Sequence, residues 1–401
     1  MAEARKGNMD QKMLQAQNEY QKMVDSIFGV GAIPITWPQS ANHVTGTWLF
    51  NKDFIEFKNN YKERLERLHA RLTTPQNKKV LSDLVAQIGD MNNWKGNYAE
   101  LVAYDVLNTD YNREFELNVT RQADFALAQF MGKTNVNYDI FAFNDSYEVY
   151  LDVKAFTDTA SDIINNGIIA KVLRLDEFRG QDIHIRPCFP LDDNEDYYNS
   201  LVKELQDELV FFTREVRDKK IKWEEYQSNI VPRLKYCIYT KDNYHYPYNG
   251  EYSPYRKAEN MKDDLIKRYC NKFPLEAPFY LVLVNFAWYN QVDINSFGFN
   301  RYLYRSLARR TFMQYENDAN DKSIHEIINS YNSVETAKFA ARKLTGVIFI
   351  DDHSIKEKGQ DIYIYENPNA DNKCPRFSRY LGEVMRKAKD GEYDDFANDN
   401  Y

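Results

Sequence analysis

Two neighbouring stretches of alternating residues carry the acidic and basic side chains best suited to chemistry. Residues 136–143 (VNYDIFAF) and 147–154 (YEVYLDVK) alternate with a period of two, which predicts two strands joined by a short turn. The first strand carries Asp139, and the second carries Asp152 and Lys154. Because residues two apart on a strand point the same way, we expect Asp152 and Lys154 to share one face.

The length of the turn decides how the two aspartates face each other. If the turn pairs Phe143 with Glu148, Asp139 lies directly opposite Asp152, whereas a shorter two-residue loop leaves them diagonal on the same face. Opposite residues have Cβ atoms about 5 Å apart, so two like charges there repel each other. A divalent cation between the carboxylates removes that repulsion, and carboxylate oxygens are ligands that Mg²⁺ accepts.

A third carboxylate precedes the two strands. Glu100 lies in the predicted helix 96–107 (GNYAELVAYDVL), where its neighbours are almost all apolar. A charge on an apolar helix face is costly to bury without a partner. We therefore expect Glu100 to face other charged groups.

A glutamate on a helix, an aspartate on one strand and Asp-x-Lys on the next together resemble the PD-(D/E)xK, or restriction-endonuclease-like, nuclease superfamily. The matching residues are Glu100, Asp139, Asp152 and Lys154. Tyr138 stands where the family often has proline, a position at which the family commonly varies. The resemblance covers residues 94–190 well and extends only weakly beyond them.

The resemblance implies a metal-dependent endonuclease, with DNA favoured over RNA as the substrate. One or two Mg²⁺ or Mn²⁺ ions would be held by Asp139, Asp152, Glu100 and the Val153 carbonyl, and would activate a water. Lys154 would position that water or help to deprotonate it, and would offset negative charge in the transition state. By analogy the chain would act as a homodimer or with a partner protein, in restriction or defence against foreign DNA.

The sequence fits other functions as well. The chain is also compatible with a nuclease fold that serves as a non-catalytic scaffold or binding subunit of a larger assembly, or with a nuclease that acts on RNA. A third interpretation is a surface hairpin whose polar residues face water and whose Lys154 pairs with a carboxylate. The acidic net charge favours the scaffold, and the intact Asp/Asp/Lys set disfavours it.

The formal net charge of −8 requires any nucleic acid to bind at a local basic surface. The predicted helix 300–313 (NRYLYRSLARRTFM) provides a candidate, because arginines recur along one of its faces. These candidate nucleic-acid-binding residues are Arg301, Arg305, Arg309 and Arg310. A solvated face or a subunit contact explains such a stripe equally well. A similar stripe at Arg64, Arg67 and Arg71 alternates with glutamates, which favours a solvated face.

Cysteine usage and hydropathy predict a cytoplasmic protein. The four cysteines form no CxxC pair, so neither a zinc site nor a disulfide framework is indicated. Residues 1–18 are polar, and no apolar run approaches the ~20 residues that a membrane span needs. We therefore expect no membrane contact.

Alternating helical and strand patterns predict an α/β protein with two or three packed units. The expected architecture is a restriction-endonuclease-like core, a mixed sheet flanked by helices, at residues 91–190. A mainly helical region at 1–90 precedes it, and a C-terminal α/β region at 191–388 follows. An acidic tail at 389–401 is expected to be disordered.

Overall fold

The computed structural model of the chain contains helices and strands in alternation. The described residues are 2–36, 55–88, 94–108, 112–122, 134–156, 163–179, 181–188, 195–232, 234–240, 254–286, 299–327, 335–354, 359–388 and 391–396. The α-helices are α1 (Ala2–Phe28), α2 (Ile55–Arg71), α3 (Pro75–Gln87), α4 (Trp94–Leu107), α5 (Ala170–Leu173), α6 (Glu195–Ser200), α7 (Val202–Asp218), α8 (Pro254–Asn260), α9 (Asp264–Tyr269), α10 (Phe299–Met313), α11 (Ile324–Ile327), α12 (Ala337–Lys343) and α13 (Pro375–Arg386). A π-helix spans Ile163–Ile169, and a 3₁₀ helix spans Cys270–Lys272. The strands are β1 (Glu114–Gln122), β2 (Asn135–Asn144), β3 (Tyr147–Ala155), β4 (Ile183–Cys188), β5 (Trp223–Gln227), β6 (Lys235–Thr240), β7 (Phe279–Asn285), β8 (Gly346–Asp352), β9 (Gln360–Glu366) and β10 (Glu392–Asp394).

The larger of two sheets is mixed, as the sequence predicts. Its strand order is β1-β2-β3-β7-β8-β9-β10. The hairpin β2–β3 and its neighbour β1 are antiparallel, while β3, β7 and β8 run parallel to one another. β9 is antiparallel to β8, and β10 is parallel to β9. β3 thus connects the antiparallel hairpin to the parallel strands β7 and β8 at the centre of the sheet.

The central strands β7 and β8 are buried along their whole length. Their sequences, FYLVLVN and GVIFIDD, contain almost continuous apolar residues rather than an alternating pattern. That pattern is typical of parallel strands that are covered on both faces. β3 pairs with β7 in a register that places Asp152 beside Leu281 and Lys154 beside Leu283.

Helices from the first hundred residues cover one face of this sheet. Tyr61 and Leu65 of α2, Leu101 of α4 and Ile348 of β8 belong to one buried cluster. α3 begins at Pro75, and Thr74 caps it by accepting a hydrogen bond from the Asn77 N–H at 3.2 Å. The cluster places α4 directly against β3 and β7.

A buried ionic network ties α2 to α4 and to the end of β8. Arg64 is 3% exposed, and its guanidinium contacts Asp105 at 3.2 Å and Asp352 at 3.0 Å. It also donates to the Tyr98 hydroxyl at 3.0 Å. The prediction of a solvated face was therefore wrong for Arg64, because carboxylates from distant parts of the chain neutralise it inside the protein.

The contacts divide the chain into two units in a way that differs from the predicted boundaries. The first unit comprises 1–156, 262–289 and 307–401; the second comprises 157–261 and 290–306. Since β7, β8, β9 and β10 complete the sheet of the β2–β3 hairpin, residues beyond 190 belong to the same unit as the hairpin. The second unit combines the segment 157–261, between β3 and β7, with residues 290–306, which follow β7.

The second unit has its own core. β4, β6 and β5 form an antiparallel three-stranded sheet in that order. Leu205, Leu209 and Phe212 of α7 are buried with Tyr236 of β6 and Ile168 of the π-helix. The sequence pattern predicts a strand near 182–189 and a helix across 192–220, but no strand at β5 or β6. β5 (WEEYQ) lacks an apolar face, whereas β6 (KYCIYT) is mostly buried.

The acidic C-terminal stretch contains ordered structure within its described residues, 391–396. β10 pairs with β9, so that Tyr393 lies beside Ile364. Phe396 is buried, and its ring stacks on that of Tyr365 at 5.6 Å. The prediction of disorder from residue 389 was wrong here, because aromatic residues among the acidic ones bury apolar surface.

His353, just after β8, gives the protein a pH-dependent element of stability. Its Nε2 lies 3.0 Å from an Asp361 oxygen, and this hydrogen bond, with the nearby charges of Asp351 and Asp352, raises the pKa of the imidazole above 6.5. A raised folded-state pKa contributes stability below the unfolded-state pKa, and this is lost as the pH rises through the folded value. We expect the wild type to lose more stability than His353→Gln between pH 5.5 and pH 8.5, measured by urea unfolding. Equal losses in the two proteins would contradict the assignment.

Candidate active site

The β2–β3 hairpin has the register that places its two aspartates near each other. Phe143 pairs with Glu148, and Asn144 pairs with Tyr147. The Asn144 side chain accepts hydrogen bonds from the backbone N–H groups of Ser146 and Tyr147, at 2.9 Å and 3.2 Å. This side-chain bonding stabilises a turn that the sequence predicts from its composition.

The ladder between β2 and β3 ends one position before the aspartates. The last pair of the ladder is Ile140 with Leu151, and beyond it the Asp139 carboxylate accepts a hydrogen bond from the Val153 N–H at 2.7 Å. The side chain of Asp139 thus takes the place of a backbone acceptor. Asp139 is 7% exposed and Asp152 is fully buried.

The alternation of β2 changes at Asp139. Ile140 lies in the cluster beneath the N-terminal helices, whereas Tyr138 stacks on the ring of Tyr150, which lies on the other face. On β1, Asn118 lies between the partners of these two residues and has a φ of 51°, a left-handed conformation that asparagine tolerates. The irregular backbone therefore directs the Asp139 carboxylate toward β3.

Lys154 connects the two aspartates. Its ammonium nitrogen lies 2.7 Å from Asp152 Oδ2 and 3.4 Å from Asp139 Oδ2. It also donates to the Val153 carbonyl at 2.7 Å. Burial lowers the pKa of this ammonium, but the charges of Asp152 and Asp139 raise it by more, so the net shift is upward. Lys154 therefore carries its proton beside the two aspartates.

Lys272 is a second lysine of the site, and sequence reasoning missed it. Its ammonium nitrogen lies 2.6 Å from Asp152 Oδ1, the oxygen that Lys154 does not contact. Lys272 ends the 3₁₀ helix Cys270–Lys272, 120 positions away from Asp152 in the chain. No local pattern marks it, so only the tertiary structure reveals it.

Glu100 reaches this site from α4, as the sequence predicts. Tyr104, one turn later, donates to a Glu100 oxygen at 3.0 Å and lies 3.3 Å from the Asp139 carbonyl oxygen. Burial raises the pKa of Glu100 to about 8, and the charge of Asp139 adds to the shift. Burial likewise raises the pKa of Asp139 to about 6, with Asp152 contributing. The three carboxylates therefore sense one another's charge.

The donor atoms at this site suit a hard divalent cation such as Mg²⁺ or Mn²⁺. They are oxygens only: the carboxylates of Glu100, Asp139 and Asp152 and the carbonyl of Val153. The mutual repulsion of the carboxylates is what a bound cation relieves. Among the described residues, no group of three or more acidic, histidine or cysteine side chains is arranged so that it could hold a metal ion. Lys154 and Lys272 instead supply the positive charge at Asp152.

The predicted arginine stripe lies on α10. Arg301 is exposed, while Arg305, Arg309 and Arg310 are half-buried. Each of these arginines has an interaction partner within the protein. Binding of a phosphate backbone by this helix stays a prediction.

The geometry of the site is the basis for assigning a function to this chain. None of the helices in the described part of the chain combines the length and apolar character needed to cross a membrane. Comparison of the chain with protein-family models, with curated proteins and with solved structures found no match.

Proposed function

We propose that this chain is a metal-dependent nuclease of the restriction-endonuclease-like type, which hydrolyses phosphodiester bonds and favours DNA. One observation carries the proposal. Lys154 contacts both Asp139 and Asp152 at the end of a β-hairpin, and the Tyr104 hydroxyl joins Glu100 of α4 to the Asp139 carbonyl oxygen. The helix-Glu, Asp and Asp-x-Lys elements of the resemblance thus converge at one place.

The residues of the chain have separate roles in this reaction. Asp139, Asp152, Glu100 and the Val153 carbonyl would hold the cation, which supplies Lewis-acid chemistry and lowers the pKa of a bound water. Lys154 keeps its proton and stabilises negative charge that develops on the phosphate oxygens. Tyr104 orients the Glu100 carboxylate through its hydroxyl. The backbone N–H of Val153 holds the Asp139 carboxylate through a hydrogen bond to its Oδ2.

The Lys154→Met variant tests this assignment. Loss of a preorganised cation beside the reacting phosphate is expected to lower cleavage by roughly 10²-fold. Cleavage of labelled DNA and RNA, single- and double-stranded, is measured with Mg²⁺ or Mn²⁺. Lys79→Met, at an exposed position of α3, is the matched control and should cut like the wild type. Equal rates for the Lys154→Met variant and the wild type would contradict the proposal.

The same assay separates DNA from RNA. We propose DNA because the family resemblance favours it, and faster cutting of RNA would instead assign the chain to RNA cleavage. A homodimer would provide one such site for each strand of a duplex, and the mass of the protein in solution tests it. The arginines of α10 are then the expected contacts to the phosphate backbone.

A second candidate function is a non-catalytic scaffold with the same fold. The pairing of both Asp152 oxygens with lysines favours it, because this arrangement neutralises a buried carboxylate without a metal. An absence of cleavage together with an absence of Mn²⁺ binding would support the scaffold. Mn²⁺ binding that is lost in Asp152→Asn would instead support a nuclease site.

A further inference from the structure

Lys272 approaches the site from outside the hairpin and α4. Besides its 2.6 Å contact with Asp152 Oδ1, its only other described polar contact is with the Asn137 carbonyl oxygen at 3.5 Å. Its side chain is 27% exposed, so the ammonium group borders solvent. A long, partly exposed lysine side chain can change rotamer without moving the backbone.

The backbone that carries Lys272 is held firmly. The Tyr138 hydroxyl donates to the Lys272 carbonyl oxygen at 3.0 Å. The next residue, Phe273, is buried, and its ring packs against Phe279 at 5.3 Å. The Tyr138 ring itself stacks on Tyr150 at 4.5 Å. The residue immediately before Asp139 therefore fixes the base of the Lys272 side chain.

The two lysines at Asp152 are not equivalent. Lys154 is bound to Asp152, to Asp139 and to the Val153 carbonyl, so removing it leaves several groups unpaired. Lys272 has one short contact in the site. Because both Asp152 oxygens carry an ammonium partner, a cation that binds this carboxylate competes with these positive charges. Lys272 makes fewer contacts at the site than Lys154, so its release leaves fewer groups unpaired.

We propose that Lys272 is an exchangeable partner of Asp152, which neutralises this carboxylate until a divalent cation binds and then contacts a phosphate oxygen of the nucleic acid. The first half of this inference is the exchange at Asp152, and the second half is the contact with a phosphate oxygen. Only the second half rests on the proposed nuclease function. Competition between Lys272 and a cation for Asp152 follows from the ammonium–carboxylate contact itself. The released ammonium carries the charge that a substrate phosphate requires.

Mn²⁺ affinity tests the first half without any need for cleavage. Titration of the full chain followed by electron paramagnetic resonance should show that Lys272→Met binds Mn²⁺ roughly tenfold more tightly than the wild type, because a competing charge is gone. Lys272→Gln, also neutral but able to hydrogen-bond, should behave in the same way if the Met variant folds poorly. Lys272→Arg keeps the charge and Lys267→Met changes an exposed lysine of α9, so both should match the wild type. Unchanged or weaker Mn²⁺ binding by both neutral variants overturns the proposal.

Binding of a DNA oligonucleotide in Ca²⁺ tests the second half. Loss of one phosphate contact should weaken binding by Lys272→Met and reduce the slope of log affinity against log salt by about 1. An unchanged salt slope overturns the role at the phosphate. If the wild type binds Mn²⁺ through Asp152 but cuts no nucleic acid, the proposed function fails while Mn²⁺ affinity still decides the competition. If the wild type binds no Mn²⁺, both fail.

Discussion

Replacement of Asp152 by asparagine is expected to lower phosphodiester cleavage by at least ~10³-fold, equal to about 4 kcal/mol of transition-state stabilisation. Asp152 is fully buried; its Oδ1 accepts a hydrogen bond from Lys272, and its Oδ2 forms an ion pair with Lys154 at 2.7 Å. Asparagine keeps the shape of the side chain but removes its negative charge. The site then loses a ligand for the cation and the charge that orients both ammonium groups.

The Asp152→Asn variant needs a control for folding and for general charge effects. Asp145→Asn removes a carboxylate from the exposed turn of the same hairpin and should retain wild-type cleavage. Circular dichroism and thermal unfolding establish that both variants keep the fold. Cleavage by folded Asp152→Asn within tenfold of the wild type would exclude Asp152 from the reaction.

Replacement of Arg64 by methionine is expected to lower the free energy of unfolding by about 3–5 kcal/mol. Arg64 is the cation of a buried network that contains Asp105, Asp352 and the Tyr98 hydroxyl. Asp105 keeps its contact with Arg67, but Asp352 is fully buried and loses its charged partner. An uncompensated buried carboxylate is the main cost.

The pH dependence of this loss provides a second check. Burial alone raises the pKa of Asp352, but Arg64 and the hydrogen bonds of Ser354 and Tyr98 lower it below its ordinary value. A lowered pKa contributes stability above the unfolded-state pKa, and this is lost as the pH falls through the folded-state value. The difference between wild type and Arg64→Met should therefore shrink in acid.

Urea unfolding at pH 7 and at pH 4 measures both effects. Lys62→Met is the control, since Lys62 lies on the same helix and forms only an exposed pair with Glu66 at 3.6 Å. Such exposed pairs contribute little, so this variant should unfold within about 0.5 kcal/mol of the wild type. A loss below 1 kcal/mol for Arg64→Met at pH 7 would show that the network does not stabilise the fold.

The sequence predicts the parts of the fold that local periodicity determines. The hairpin register follows from two alternating runs and a turn, and β7 and β8 follow from uninterrupted apolar residues. The short strands β5 and β10 escape prediction because their residues are mostly polar and pair only through tertiary contacts. α13 differs from them, because its buried Phe377, Tyr380, Leu381 and Val384 recur at helical spacing and could have been recognised from the sequence.

Some residues of the candidate site can likewise be recognised from the sequence, and others only from tertiary contacts. Asp152 and Lys154 are two apart on a strand, and Glu100 is conspicuous on an apolar helix, so all three are visible in the sequence. Lys272 and the partnership of Arg64 with Asp352 depend on residues that lie 120 and 288 positions apart. Without the structure, Lys272 is one lysine among many, and Arg64 belongs to a charged helix face.

Metal dependence of cleavage by the wild-type chain tests the central claim most directly. Protein stripped of metal with EDTA is incubated with plasmid DNA and with single-stranded DNA and RNA, and Mg²⁺ or Mn²⁺ is then added back. We expect no cleavage in EDTA and restored cleavage with either cation. In the proposed reaction, Glu100, Asp139 and Asp152 hold the divalent ion that activates the attacking water. Cleavage that persists in EDTA, or no cleavage of any substrate with either cation, would contradict the assignment of this site to a metal-dependent nuclease.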